Sequence, residues 1–246
     1  YLDFFERAGS VLEGESGASA GKVGEIRVAL ARKAPGEVDI PAVQGLKRVI
    51  RETEATSALE SVGLGADRAR FLNLPFYQTG KVRKDPVTEA DVAITLEILE
   101  ELSPELVFVA GDLSDPHGTH RMCLEAVYRG LSDYGGPSPE VWLYRGAWQE
   151  WSVAEASVLG PLSEGELRRK ILSIFKHQSQ KDKAPFPGPD EREFWQRTEA
   201  RNRGTADLLV SLGLPAYYAM EAYLVMREGK MVENPVVPTA SLGGGG

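Results

Sequence analysis

With 246 residues, 42% of them hydrophobic, the chain is long enough to bury one sizeable core. Its formal net charge of −8 argues against nucleic acid as the main partner, and no apolar run of about 18 residues is present to span a membrane as a helix. A single cysteine excludes an intrachain disulfide framework and suits a reducing, cytoplasmic setting.

In chain order, residues 1–35 read as a helical N-terminal segment, with helices over Leu2–Glu13 and Lys22–Lys33 joined by the Gly/Ser-rich linker Gly14–Gly21. A longer helix opens at Pro41 and stops at Gly63, with Val43, Leu46, Val49, Ile50 and Leu59 on one broad apolar face. Arg51 and Glu54 sit on it at a spacing that predicts a surface ion pair. Arg70–Leu74 is expected to be a strand. In the loop after it, Phe76 and Tyr77 serve either as a core plug or as a wall facing a ligand.

Thr88 and Asp91 form a capping box at the head of a helix over Thr88–Glu101. Leu106–Ala110, an apolar run closed by Gly111, reads as a buried strand. Cys123, Ala126, Val127 and Leu131 then recur at helical spacing. Between strand and helix lies Asp112–His120, which holds two of the three histidines. Ligands of open α/β sheets bind beyond the carboxyl ends of strands, so this loop is where chemistry is expected. His117 and His120 lie one helical turn apart, a spacing that suits either a metal or acid/base work, and Asp115 is placed to orient an imidazole. A capped turn that merely carries two histidines is the competing reading.

Val141–Arg145 is a further strand, leading to Trp148 and Trp151. Ser163–Phe175 is a helix with a Ser163/Glu166 capping box, followed by His177. Asp190–Leu212 is a charged helix stopped by Gly213, and Met220–Met226 a closing strand. Residues 229–246 are expected to form a disordered tail. The alternation of strand, helix and strand predicts an α/β fold: a three-layer, Rossmann-like, mostly parallel sheet with helices on both faces, over residues 36–228.

Asp115-Pro-His-Gly-Thr-His120 resembles the second signature of the LmbE/PIG-L family of zinc-dependent N-acetylglucosaminyl deacetylases, usually Asp-Pro-His-Pro-Asp-His. Trp142–Trp151, Phe175–Asp182 and Asp190–Arg197 extend the likeness to the LmbE-type module fused behind glucosamine-6-phosphate deaminase in bacteria. The resemblance implies zinc as cofactor and a small amino-sugar derivative as substrate. His120 would be the zinc ligand, His117 the oxyanion stabiliser or proton donor, and Asp115 its support. Asp112 and His177 would add hydrogen bonds around the site, while Arg51, Arg145 and Trp148 would face the sugar. The family's first signature, His-Pro-Asp-Asp, is absent here. The expectation is therefore a fragment lacking its first strand, inactive alone, whose intact form associates through a preceding domain. Two other readings stay open: the accessory half of a glucosamine-6-phosphate deaminase fusion, or a non-catalytic sugar-binding module.

Overall fold

The computed structural model describes residues 2–13, 19–78, 84–111, 118–145, 150–180 and 192–226. Two helices, α1 (Leu2–Glu13) and α2 (Ser19–Arg32), precede the long α3 (Pro41–Ser61). Leu12 and Ile26 pack with Ala42 and Val43, so α1 and α2 share an apolar cluster with the start of α3. α3 has proline at its first turn and ends where Gly63 takes a positive φ of 89°. That conformation favours glycine because it lacks a Cβ.

The short α4 (Pro75–Gln78) and α5 (Glu89–Leu102) lead into β1 (Leu106–Ala110). Asp91, fully buried, ties the two helices together. One carboxylate oxygen accepts the Phe76 amide at 2.9 Å, and the other accepts the Thr88 amide at 2.8 Å and hydroxyl at 2.7 Å. Burial works against its charge, but these hydrogen bonds prevail and hold Asp91 below the usual carboxylate range. Phe76 is thereby drawn into a core with Val87, Val92 and Ala126.

From β1 the chain crosses over through α6 (Thr119–Asp133) to β2 (Glu140–Tyr144), which pairs parallel to β1 with Ala110 opposite Tyr144. Next come β3 (Val158–Leu162), α7 (Glu164–Ile174), α8 (Phe194–Ser211) and β4 (Ala219–Met226). The sheet order is β1-β2-β4-β3, with β4 antiparallel to both neighbours. The expected α/β class, the parallel crossover and the closing strand are all present. Val109, Val141, Leu143 and Ala222 form the main core with Leu124 of α6 and Trp151. Each buried Leu-sized side chain contributes roughly 1.5–3 kcal/mol.

Gly111 is required at the end of β1, because an added Cβ would lie 2.8 Å from Leu143 and 3.1 Å from Trp151. Its amide donates to the Tyr144 carbonyl at 2.7 Å, and the Trp151 indole donates to the Leu143 carbonyl at 2.8 Å. The ends of β1 and β2 are thus clamped side by side.

Two local expectations are corrected. Arg70–Leu74 forms no strand among the described residues, and Asn73 there has a φ of 50°, which interrupts the pleat. Conversely, β3 was not expected, because Gly160-Pro161 breaks its apolar run. It is tolerated because β3 is an edge strand, where proline costs no interior ladder bond. The tail expected over 229–246 lies outside the described residues.

Candidate functional site

The anchored α4 sets one wall of a cleft. With Phe76 held inward by Asp91, Tyr77 turns outward at 44% exposure, and the Lys84 ammonium lies 4.2 Å from its ring centroid. The sequence offered a plug or a ligand-facing wall for this aromatic pair; the structure gives Phe76 the first role and places Tyr77 along the cleft. α3 supplies the opposite wall through Lys47, Arg48 and Arg51, and Thr119 and Cys123 of α6 close the third side. The cavity has a volume of about 640 Å³. Arg51, predicted from one end of the chain, and Thr119, a member of the Asp-Pro-His-Gly-Thr-His run, therefore face one space.

The cleft is cationic because its carboxylates are already engaged. Asp39 accepts from Lys33 and Lys47, both at 2.6 Å, and these bonds hold its carboxyl below the ordinary range. Glu52 is bound by Arg7. Arg48 donates to the Gln78 side chain at 2.6 Å. Burial and the nearby Arg51 lower the pKa of Lys84. Arg51 is exposed and makes no hydrogen bond or ion pair among the described residues. Its planar fork suits an oxyanion or a ring of hydroxyls. Arg48 lies one helical turn from Arg51, so its membership was legible from spacing; Lys84, joined only through tertiary packing, was not.

The expected Arg51–Glu54 ion pair is not made. Glu54 instead accepts the Ser179 amide at 2.6 Å and hydroxyl at 2.7 Å. This ties α3 to the turn that carries His177, which is half-buried and lines a neighbouring groove with Ala55, Leu59 and Phe71.

His120 sits half-buried in the first turn of α6. Gly118 caps that helix with a φ of 70°. A proline, locked near −65°, could not adopt it. Asp112, Asp115, His117 and Trp148 lie outside the described residues. Among the described residues no group of three or more His, Cys, Asp or Glu is placed to hold a metal. No helix among them is long and apolar enough to cross a membrane.

Arg145, predicted to face the sugar, follows the end of β2 and stacks on Trp151, 3.8 Å from the ring centroid. It lines a separate cavity with a group of charged residues that no motif announced: Glu150, Lys170, Arg201 and Glu221. Asn202, 1% exposed, accepts from Lys170 at 2.9 Å and donates to Glu150 at 3.3 Å and to the Met220 carbonyl at 3.1 Å. Lys170 also bonds Glu221, which accepts the Tyr223 hydroxyl at 2.6 Å. Burial pushes the Glu150 carboxyl up to about 7, against the opposing pull of Arg201 and Lys170. Burial and Glu221 likewise raise the Tyr223 phenol.

No family model matches the chain. It is 48% identical over 209 residues to a Bacteroides thetaiotaomicron protein described as "Putative glucosamine-6-phosphate deaminase-like protein". The alignment covers 82% of this chain and 32% of that protein, so the chain spans about a third of the relative's length.

Proposed function

We propose that this chain is the amino-sugar-handling part of a longer protein of the glucosamine-6-phosphate deaminase-like kind, and that its own chemistry is hydrolysis at the sugar nitrogen. The observation that carries the reading is the convergence of Arg51, Tyr77 and Thr119 on one cationic cleft, beside the His120 turn. The similarity to the Bacteroides protein supports the amino-sugar class. An exposed guanidinium that has no partner among the described residues and an outward aromatic ring suit a polar sugar that carries an anionic group.

The finer reading is an N-deacetylase of the LmbE/PIG-L type. Zinc, the cofactor it requires, takes four donors in a closed site and three protein donors in a catalytic one. His120 is one such donor, and the described residues do not complete the set. When bound, the metal would make a water nucleophilic near neutral pH. For this chain's own residues, we assign His120 to holding the metal, His117 and Asp115 to proton handling at the leaving nitrogen, and Arg51 to orienting the sugar.

The second reading is an accessory half of a deaminase, favoured by the relative's printed name. The test is release of acetate against ammonia by the intact protein, offered an N-acetylglucosamine derivative and glucosamine 6-phosphate in parallel. Acetate release lost in His120→Ala and weakened in Arg51→Gln is the expected result. Ammonia release alone, unchanged in both variants, would leave the accessory reading and remove the hydrolase.

A further inference from the structure

The α3/α6 cleft holds more positive charge than its own carboxylates match. Among the described residues Lys47, Arg48, Arg51, Arg70 and Lys84 line it, against Asp39 and Glu52. Both carboxylates are engaged: Asp39 is shared by Lys33 and Lys47, and Glu52 is bound by Arg7. Arg70 pairs with Glu101 at 2.6 Å. Lys84 stacks on Tyr77 and has a further partner. Arg48 and Arg51 remain, and neither meets a carboxylate among the described residues.

The two arginines are three residues apart on α3, so both side chains rise from one face within a turn, and both are exposed. Arg48 reaches across the cleft and donates to the Gln78 side chain of α4 at 2.6 Å, and Gln78 in turn donates to Asn73 at 3.3 Å. Because Gln78 is neutral, this bond orients the Arg48 fork without cancelling its charge. The other donors of the guanidinium have no partner among the described residues. A neutral sugar would leave both charges unmatched. A phosphate monoester carries close to two negative charges near neutral pH and three acceptor oxygens, which suits a pair of planar forks.

Resting on the amino-sugar reading of this cleft, we propose that its substrate class is the phosphate monoester of an amino sugar, with Arg48 and Arg51 together clamping the phosphate and Tyr77 and Thr119 beside the sugar. The assignment adds Arg48 to the site and gives Gln78 the role of positioning it.

Calorimetry on the full chain near pH 7.5 tests the clamp, with N-acetylglucosamine 6-phosphate, N-acetylglucosamine, N-acetylglucosamine 6-sulfate and glucose 6-phosphate as probes. The phosphate ester should bind about tenfold more tightly than the unphosphorylated sugar, with the sulfate ester, a monoanion of similar shape, between them. Arg48→Gln and Arg51→Gln should each lose about fivefold for the phosphate ester, and Arg48→Gln should leave N-acetylglucosamine within about twofold. Arg48→Lys and Arg51→Lys keep the charge without the fork; they should lose less, and they serve if a glutamine form fails to fold by circular dichroism. Arg168→Gln, on the exposed face of α7, is the control for lost surface charge and should bind like wild type. No saturable binding of the phosphate ester, full affinity in Arg48→Gln or Arg51→Gln, or a sulfate ester as tight as the phosphate ester would each overturn the clamp. If phosphorylation adds no affinity while acetate release from N-acetylglucosamine continues, the clamp fails and the amino-sugar reading stands. If glucose 6-phosphate binds as tightly as N-acetylglucosamine 6-phosphate, the clamp holds and the amino-sugar reading fails.

Discussion

The two cavities use charge in opposite ways. In the α3/α6 cleft the carboxylates are neutralised at the rim by Lys33, Lys47 and Arg7, and Arg51 is exposed and makes no hydrogen bond or ion pair among the described residues. In the cavity beyond β2, Glu150, Lys170 and Glu221 are joined through the buried Asn202, so each group alters the others. The difference teaches that an exposed cation is available to a ligand with little consequence for the fold. A buried network contributes to stability and to pH response together.

The sharpest way to break the contrast is to cut the network at its centre. Asn202→Ala should cost about 2–4 kcal/mol, because Lys170, Glu150 and the Met220 carbonyl all lose a buried partner; urea unfolding measures it. A loss below about 0.5 kcal/mol would show that the network is as loose as the surface.

Asp91→Ala, at the anchor that shapes the first cleft, should cost about 2–3 kcal/mol near neutral pH through the lost cap and the freed Phe76 amide. Asp91 is held below its ordinary value, so its contribution is present above that value and lost as pH falls through the lowered one. The gap between wild type and variant should therefore narrow in acid.

Glu150→Gln should act in the opposite direction. The carboxyl is raised from 4.5 to about 7, so the wild type loses stability as pH rises through that window. Allowing for partial solvent screening, the variant should be more stable by about 1–2 kcal/mol near pH 8 and equal to wild type below pH 4.5, followed by thermal unfolding. The smallest effect belongs to the open cleft: Arg51→Gln should leave stability within about 0.5 kcal/mol. Any larger change would mean that Arg51 has a structural role.

Much of the scaffold was legible because it is written in local signals. The Thr88/Asp91 and Ser163/Glu166 capping boxes, the proline at the head of α3 and the apolar run of β1 each state their element within a few residues. Arg70–Leu74 misled because a short apolar run shows strand propensity without showing that a partner strand lies beside it. β3 was hidden for the converse reason, since an edge position excuses the Gly-Pro that forbids an interior strand.

At the candidate site, Arg51 and the Asp-Pro-His-Gly-Thr-His run were both visible, but not their meeting at one cleft. Glu54 was read as a partner of Arg51 three residues away, yet it binds Ser179, 125 residues on. No periodicity encodes such a pairing.

What the sequence determined alone is most of the helices and the strands β1, β2 and β4, the turn at which His120 stands, and the chemistry each side chain carries, because these depend on neighbours within about one turn or pleat. Tertiary structure decided which charges are matched. It closes Lys170 on Glu221 and Asn202, leaves Arg51 and Arg145 without ion pairs among the described residues, and lifts the Glu150 proton affinity. The reason is physical: desolvation and Coulomb interaction act through space, and only the fold sets those distances.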